Sequence, residues 1–227
     1  MILFLIICFF SIADPVLESP NFSYLKQEEI KAGAKAFAQT CYSCHSMQYM
    51  RTDQITLDAG IKPDQAPSWD PSSWNGHPPP DLSLITAAKG TDFVYSYLRA
   101  YYLDESHPSG YENLVLKGTQ MPNPFPMMQG NQVLVSGMED QRLFQALKLE
   151  KRGSMSPQEF DDYVTSIVAY LDYASDPHVS YRKQVGIYVL GFLAVMILIM
   201  IALDLAYWQH IHDEHVNQNR DSPSGEK

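Results

Sequence analysis

Cysteine is scarce, with three residues in 227, too few for a disulfide-built scaffold. Basic residues are also short: Lys and Arg total 16 against 26 Asp and Glu, a formal net charge of −10. A chain without a basic surface cannot neutralise phosphates, which excludes nucleic acid as a partner. A basic protein partner suits this sign better. No internal repeat is present. With 45% hydrophobic and 19% charged residues, most of the chain is too apolar to stay disordered.

The apolar residues that are there crowd toward the two ends. Ile2 to Ile12 is too short a run to cross a hydrocarbon core of ~30 Å as a helix. It closes on Ser11-Ile12-Ala13, a small-x-small pattern that predicts a secretory signal over residues 1–13 with Asp14 as the mature N-terminus. The usual basic residues ahead of the apolar run are missing. Val185–Leu203 carries no charge on any face and is followed by Tyr207 and Trp208. At ~1.5 Å per residue it is long enough to span, which predicts an anchor over 185–208 and a short tail over 209–227. Between the ends, residues 14–180 form a globular domain holding 21 acidic and 12 basic side chains, a net of −9.

Gln27 to Thr40 reads as a helix, with Ile30, Gly33, Ala34 and Phe37 on one stripe. Gly33 within it costs about 1 kcal/mol relative to Ala, a cost understandable if another helix crosses closely there. Cys41-Tyr42-Ser43-Cys44-His45 follows at once. The spacing is that of a c-type haem attachment site: two thiols three positions apart reach two vinyl groups of one porphyrin, and the adjacent imidazole reaches the iron. A zinc site wants a second ligand pair that the sequence does not offer. Covalent haem attachment takes place on the exported side of the membrane, in line with the signal segment. The positive-inside rule, with Arg182 and Lys183 ahead of the span, argues for the opposite orientation.

Lys62 to Pro80 is proline-rich, stiffened and irregular. Trp69 and Trp74 within it suggest a wall against the haem. Asp81 to Tyr101 returns to a helix-compatible pattern, with Phe93, Tyr97 and Tyr101 four apart, and Glu105 to Asn131 is rich in turns. An electron carrier wants a methionine opposite the histidine, because that pairing raises the reduction potential. Met121, Met127, Met128, Met138 and Met155 compete for the role. Met155 has the best local frame, directly before the capping box Ser156-Pro157-Gln158-Glu159 of a helix reaching to about Tyr173. Met121, before Pro122, is the runner-up.

Several stretches together resemble one family. They are Gly33-x-x-x-Phe37 ahead of Cys41 to Met47, Asn75-Gly76 with Pro79-Pro80-Asp81-Leu82-Ser83, Met155-Ser156-Pro157, Asp176-Pro177, and Arg182-Lys183 before a single span. The chain resembles cytochrome c1, the haem subunit of the cytochrome bc1 complex. The resemblance implies an all-α, class I cytochrome c-like haem domain with long irregular loops and one C-terminal transmembrane helix. It implies one covalent haem c held through Cys41 and Cys44, with His45 and Met155 as axial ligands. Pro80 and Lys89 are implied as further haem contacts, Lys89 standing where relatives often carry Arg for a haem propionate.

The implied role is that of a redox subunit of a quinol–cytochrome-c reductase, itself making no bond in a substrate. It would take an electron from the Rieske iron–sulfur protein and pass it to a soluble or membrane-attached cytochrome c, with cytochrome b and membrane lipid as further partners. The implied location is a bacterial or organellar inner membrane, single-pass, with the haem domain on the periplasmic side. Acidic residues of the domain, among them Glu139, Asp140, Asp161 and Asp162, either steer a basic partner or only solubilise the surface. The alternatives are a free-standing membrane-anchored monohaem cytochrome c and a haem-based sensor.

Overall fold

The computed structural model describes residues 17–22, 27–135 and 145–221. The expected signal segment, Met138, Glu139 and Asp140 lie outside the described residues. The chain divides into two compact units, residues 1–177 and 178–227.

In the first unit, α1 (Gln27–Thr40) presents Ile30, Gly33, Ala34 and Phe37 as its buried stripe. Short elements follow: α2 (Gln54–Asp58), α3 (Ser73–Gly76), α4 (Ile85–Lys89) and α5 (Thr91–Arg99). Next come β1 (Tyr101–Leu103), β2 (Tyr111–Asn113), α6 (Pro126–Gln129), β3 (Gly130–Leu134) and β4 (Leu147–Arg152). The last element is α7 (Pro157–Ser175), whose N-terminus carries the anticipated capping box: Ser156 and Glu159 each satisfy the other's backbone N–H. Two points differ from expectation. The Asp81–Tyr101 stretch is two helices, interrupted at Gly90, where φ is +85°. The unit is also not purely helical, because β1–β2 and β3–β4 form two small antiparallel sheets. These strands are three to six residues long, too short for periodicity to reveal.

The core is the crossing of α1 and α7. Phe160, Val164, Ile167, Val168 and Leu171 of α7 are buried together with Ile30, Ala34 and Phe37. The Phe37 and Tyr170 rings meet at 5.5 Å. A Cβ at Gly33 would stand 1.8 Å from the Ser166 carbonyl oxygen, so only a glycine lets the two backbones approach this closely. Buried polar links fix the angle. The Tyr170 hydroxyl meets that of Thr56 at 3.0 Å, and Tyr173 donates to Asp53 at 2.5 Å. Asp53 also caps α2 through the Thr56 N–H. An N-terminal strap is pinned by Glu18, whose N–H donates to Ser96. Arg99, 12% exposed, bridges Glu18 at 2.8 Å and Asp161 at 2.7 Å. Asp161, one of the acidic residues offered above for steering a partner or solubilising the surface, is engaged in this bridge.

In the second unit, α8 (Val179–Asp221) contains a candidate span, Tyr181–His212, whose most apolar 18 residues have a mean hydropathy of 2.8 and are not buried. It is long and apolar enough to cross a membrane, and it contains the expected Val185–Leu203 run.

Gly33→Ala is expected to destabilise the haem unit. The added methyl gains about 1 kcal/mol of helix propensity but forces the helices apart, at a cost of about 1–3 kcal/mol or more for overpacking. Thermal unfolding of the purified full-length variant, followed by far-UV circular dichroism, checks this as a lower midpoint than wild type.

Candidate haem site

Cys41 and Cys44 stand at the end of α1 as free thiols. The last turn of the helix delivers them, since the Cys41 N–H bonds to Phe37 O and the His45 N–H to Cys41 O. Burial, with the neighbouring Cys44 second, pushes the Cys41 thiol up to about 12. It is therefore a thiol at neutral pH.

His45 is 7% exposed, and its Nδ1 lies 2.8 Å from the carbonyl oxygen of Pro80. A carbonyl only accepts, so Nδ1 must carry the proton and Nε2 keeps its lone pair for a metal. Burial lowers the imidazole's pKa, opposed by the Pro80 hydrogen bond and the Asp81 charge. The ring is thus neutral, as a ligand must be.

Pro80 can hold this position because Asp81 ties its segment to the chain beyond the histidine. One Asp81 oxygen accepts from Ser46 Oγ and from the Gln48 N–H, both at 2.7 Å. The other accepts from the Ser83 N–H at 3.0 Å. Leu82 N–H donates to Ser46 O, and Tyr49 N–H to Ser83 Oγ. Burial alone would raise the Asp81 carboxyl, but these bonds outweigh it and hold the group below the usual carboxylate range.

The proline-rich loop wraps the same motif. Tyr42 donates to Lys62 O at 2.6 Å, and Trp69 Nε1 donates to Cys44 O at 2.9 Å. Trp74 meets Trp69 edge-on at 5.7 Å. Trp69, one of the two tryptophans expected to wall the haem, is thus bonded to the attachment motif itself.

Met47 and Met50 are buried in the core, and Met127 is 80% exposed. Met121, Met128 and Met155 are half-buried against the core. Met155 is locked through its backbone: its N–H donates to Met128 O, and that of Ser154 to Met127 O. Gly153 passes so near α6 that a Cβ would fall 2.2 Å from Met128 O. Met121 belongs to a different construction. Its carbonyl accepts from Tyr101 OH at 3.2 Å, and Tyr101 donates to Tyr97, which meets Thr119. The rings of Phe93, Tyr97 and Tyr101 follow one another at 6.1 and 5.6 Å. Lys89, exposed at the end of α4, places its ammonium 5.9 Å over the Phe93 ring. The ladder therefore runs from Lys89 to Met121. Sequence reading caught its four-residue spacing but not its endpoint, because Thr119 and Met121 sit in an irregular loop. It also missed the close packing of Gly153 and the role of Asp53, for which only hydrogen-bond partners give a signal.

Two unoxidised thiols at vinyl spacing, a neutral imidazole with one nitrogen spent on a carbonyl, and half-buried thioethers form a donor set that fits haem c. These are the features of a c-type cytochrome. The Cytochrome C1 family model matches residues 58–211, a stretch that begins past the attachment motif. Cytochrome c1 of Allochromatium vinosum is 33% identical over 86% of this chain and 90% of its own length. The ammonia monooxygenase gamma subunit of Nitrosomonas europaea is 34% identical over 82% and 85%. A protein named cytochrome b/c1 from Bradyrhizobium diazoefficiens is 22% identical over 81% of this chain and 33% of its own length.

The chain belongs to the cytochrome c1 family. Members carry one covalently bound haem c and serve as the haem-containing electron-transfer subunit of the membrane-anchored bc1 complex, together with cytochrome b.

Asp81→Asn is expected to flatten the acid limb of the stability curve. A carboxyl held low in the folded state contributes stability above its unfolded pKa, near 4, and that contribution is lost as pH falls through the lower, folded value. Wild type should therefore lose more stability than the variant as pH falls from about 6 to below 4. Unfolding midpoints across that range provide the check.

Proposed function

We propose that the exported unit carries electrons from the Rieske iron–sulfur protein to a cytochrome c on the periplasmic side of the membrane. The observation that carries this reading is the His45–Pro80 hydrogen bond at 2.8 Å beside two free thiols. It leaves the imidazole ready to hold a metal permanently, as a relay requires.

Bound haem supplies a one-electron ferric–ferrous couple. Cys41 and Cys44 hold it by thioethers, so the centre stays with the chain through each turnover. His45 ligates through Nε2, and Pro80 fixes the plane and basicity of the ring. Lys89 offers its charge to a propionate, as a point contact rather than the planar fork an arginine would give. The acidic domain, −9 over residues 14–180, draws in a basic acceptor, an attraction that salt weakens.

For the sixth ligand we retain Met155, which the resemblance implies, half-buried against the core directly before the capping box of α7. Met121, the runner-up, is tied to the aromatic ladder through its backbone carbonyl and not through its thioether. Met155 closes the β3–β4 side, with its neighbours packed backbone to backbone.

Met155→Leu is expected to lower the reduction potential and abolish the weak near-infrared sulfur-to-iron band of the oxidised form, while Met121→Leu keeps both. The reverse pattern moves the role to Met121. For the complex, mild detergent extraction followed by mass spectrometry should recover cytochrome b and a Rieske protein with this chain. Recovery of the chain alone would support a free-standing carrier instead.

A further inference from the structure

Among the described residues, three buried side-chain atoms lack a hydrogen-bond partner: Glu29 Oε2, Asn123 Nδ2 and Gln129 Oε1. Two of them are acceptors. Among these three only Asn123 leaves a donor unspent, and it does so at 8% exposure. The orientation of its amide is not free. Oδ1 accepts the Phe125 N–H at 2.8 Å, so the other end must be the nitrogen. Phe125 is itself fixed, 1% exposed and edge-on to Phe160 at 5.4 Å. Pro122 and Pro124 on either side stiffen the loop and donate nothing.

A buried donor left unpaired costs about 1–3 kcal/mol, and native proteins rarely carry that cost without a use. The family's haem is the group that would bring new atoms into this unit. Its ring nitrogens are committed to iron, so the acceptors it brings are its propionate oxygens. The unspent atom is a donor, and the incoming group supplies acceptors alone. The axial thioethers do not satisfy it, since both methionine sulfurs are already present in the chain and neither is bonded to it.

We propose that Asn123 Nδ2 is a haem contact, donating a hydrogen bond to a propionate carboxylate. The contact rests on the haem reading above and adds a neutral partner to the Lys89 charge proposed there. Asn123 acts on the haem from the loop that also contains Met121, so loop position and carboxylate position are coupled.

Two variants of the full chain in its native complex separate this role from simple turn formation. Asn123→Asp keeps an oxygen for the Phe125 N–H but replaces the donor with an acceptor. Asn123→Ser keeps a short hydroxyl for the same N–H, stays neutral and lacks the reach of the amide nitrogen. Both are expected to lower the midpoint potential of the c-type haem in redox titration, Asp more than Ser. Both should also shift its propionate-bending band in resonance Raman spectra. Folded, haem-loaded variants with unmoved band and potential would overturn the proposal. Should neither variant retain haem, a structure of the wild-type complex decides. Asn123 Nδ2 within hydrogen-bond distance of a propionate supports the contact; Nδ2 on a methionine sulfur, a water or a backbone carbonyl overturns it. Absence of haem from the wild-type protein would instead overturn the electron-carrier reading, so the two failures are distinguishable.

Discussion

The bond between the His45 imidazole and the Pro80 carbonyl organises the site. It decides which ring nitrogen bears the proton, and with that which one can hold iron. The bond is short and buried, but it joins residues 35 apart, so neither end could hold it alone. Asp81 gathers the N–H of Gln48 and the hydroxyl of Ser46 on one oxygen and the N–H of Ser83 on the other. It thereby clips the segment carrying the carbonyl to the segment carrying the imidazole. A single carboxylate spans both sides of the imidazole, which accounts for Asp directly after the prolines.

That clip works because the helix delivering the histidine is itself immobile. The crossing of α1 with α7 is a backbone-to-backbone contact at Gly33 and Ser166, backed by the ring of Tyr170 and its bond to Thr56. Tyr163 on the same helix reaches Thr40, the residue before Cys41, at 2.8 Å. Packing in the core and placement of the attachment motif are therefore one problem. Any change that loosens α7 moves the end of α1.

Much of this was legible in the sequence wherever a local rule operates. The α1 stripe, the capping box of α7 and the spanning run were readable because each is written in one continuous stretch of chain, and Gly33 hinted at a close approach because a glycine costs stability in mid-helix. The attachment motif was readable because vinyl spacing is fixed by chemistry. What escaped was non-local. The short strands around Tyr101 and Leu147 exist through pairing partners, not propensity. The helix expected over Asp81–Tyr101 breaks at Gly90, where one left-handed residue overrides an otherwise continuous pattern. The aromatic ladder was visible as a spacing, yet its end at Met121 depends on a hydroxyl-to-carbonyl bond across twenty residues.

The proline-rich wall has a consequence for speed as well as shape. When an electron arrives or leaves, the charge at the metal changes by one unit, and every movable dipole nearby must readjust before the transfer can complete. A haem iron held at His45 would have beside it a proline carbonyl, a carbonyl already holding the Trp69 indole, and a backbone clipped by Asp81. Each of these is already committed to a hydrogen bond. A surrounding with so little left to rearrange would keep the reorganisation energy small, in the way preorganised dipoles act elsewhere, and would let oxidised and reduced forms share nearly the same geometry.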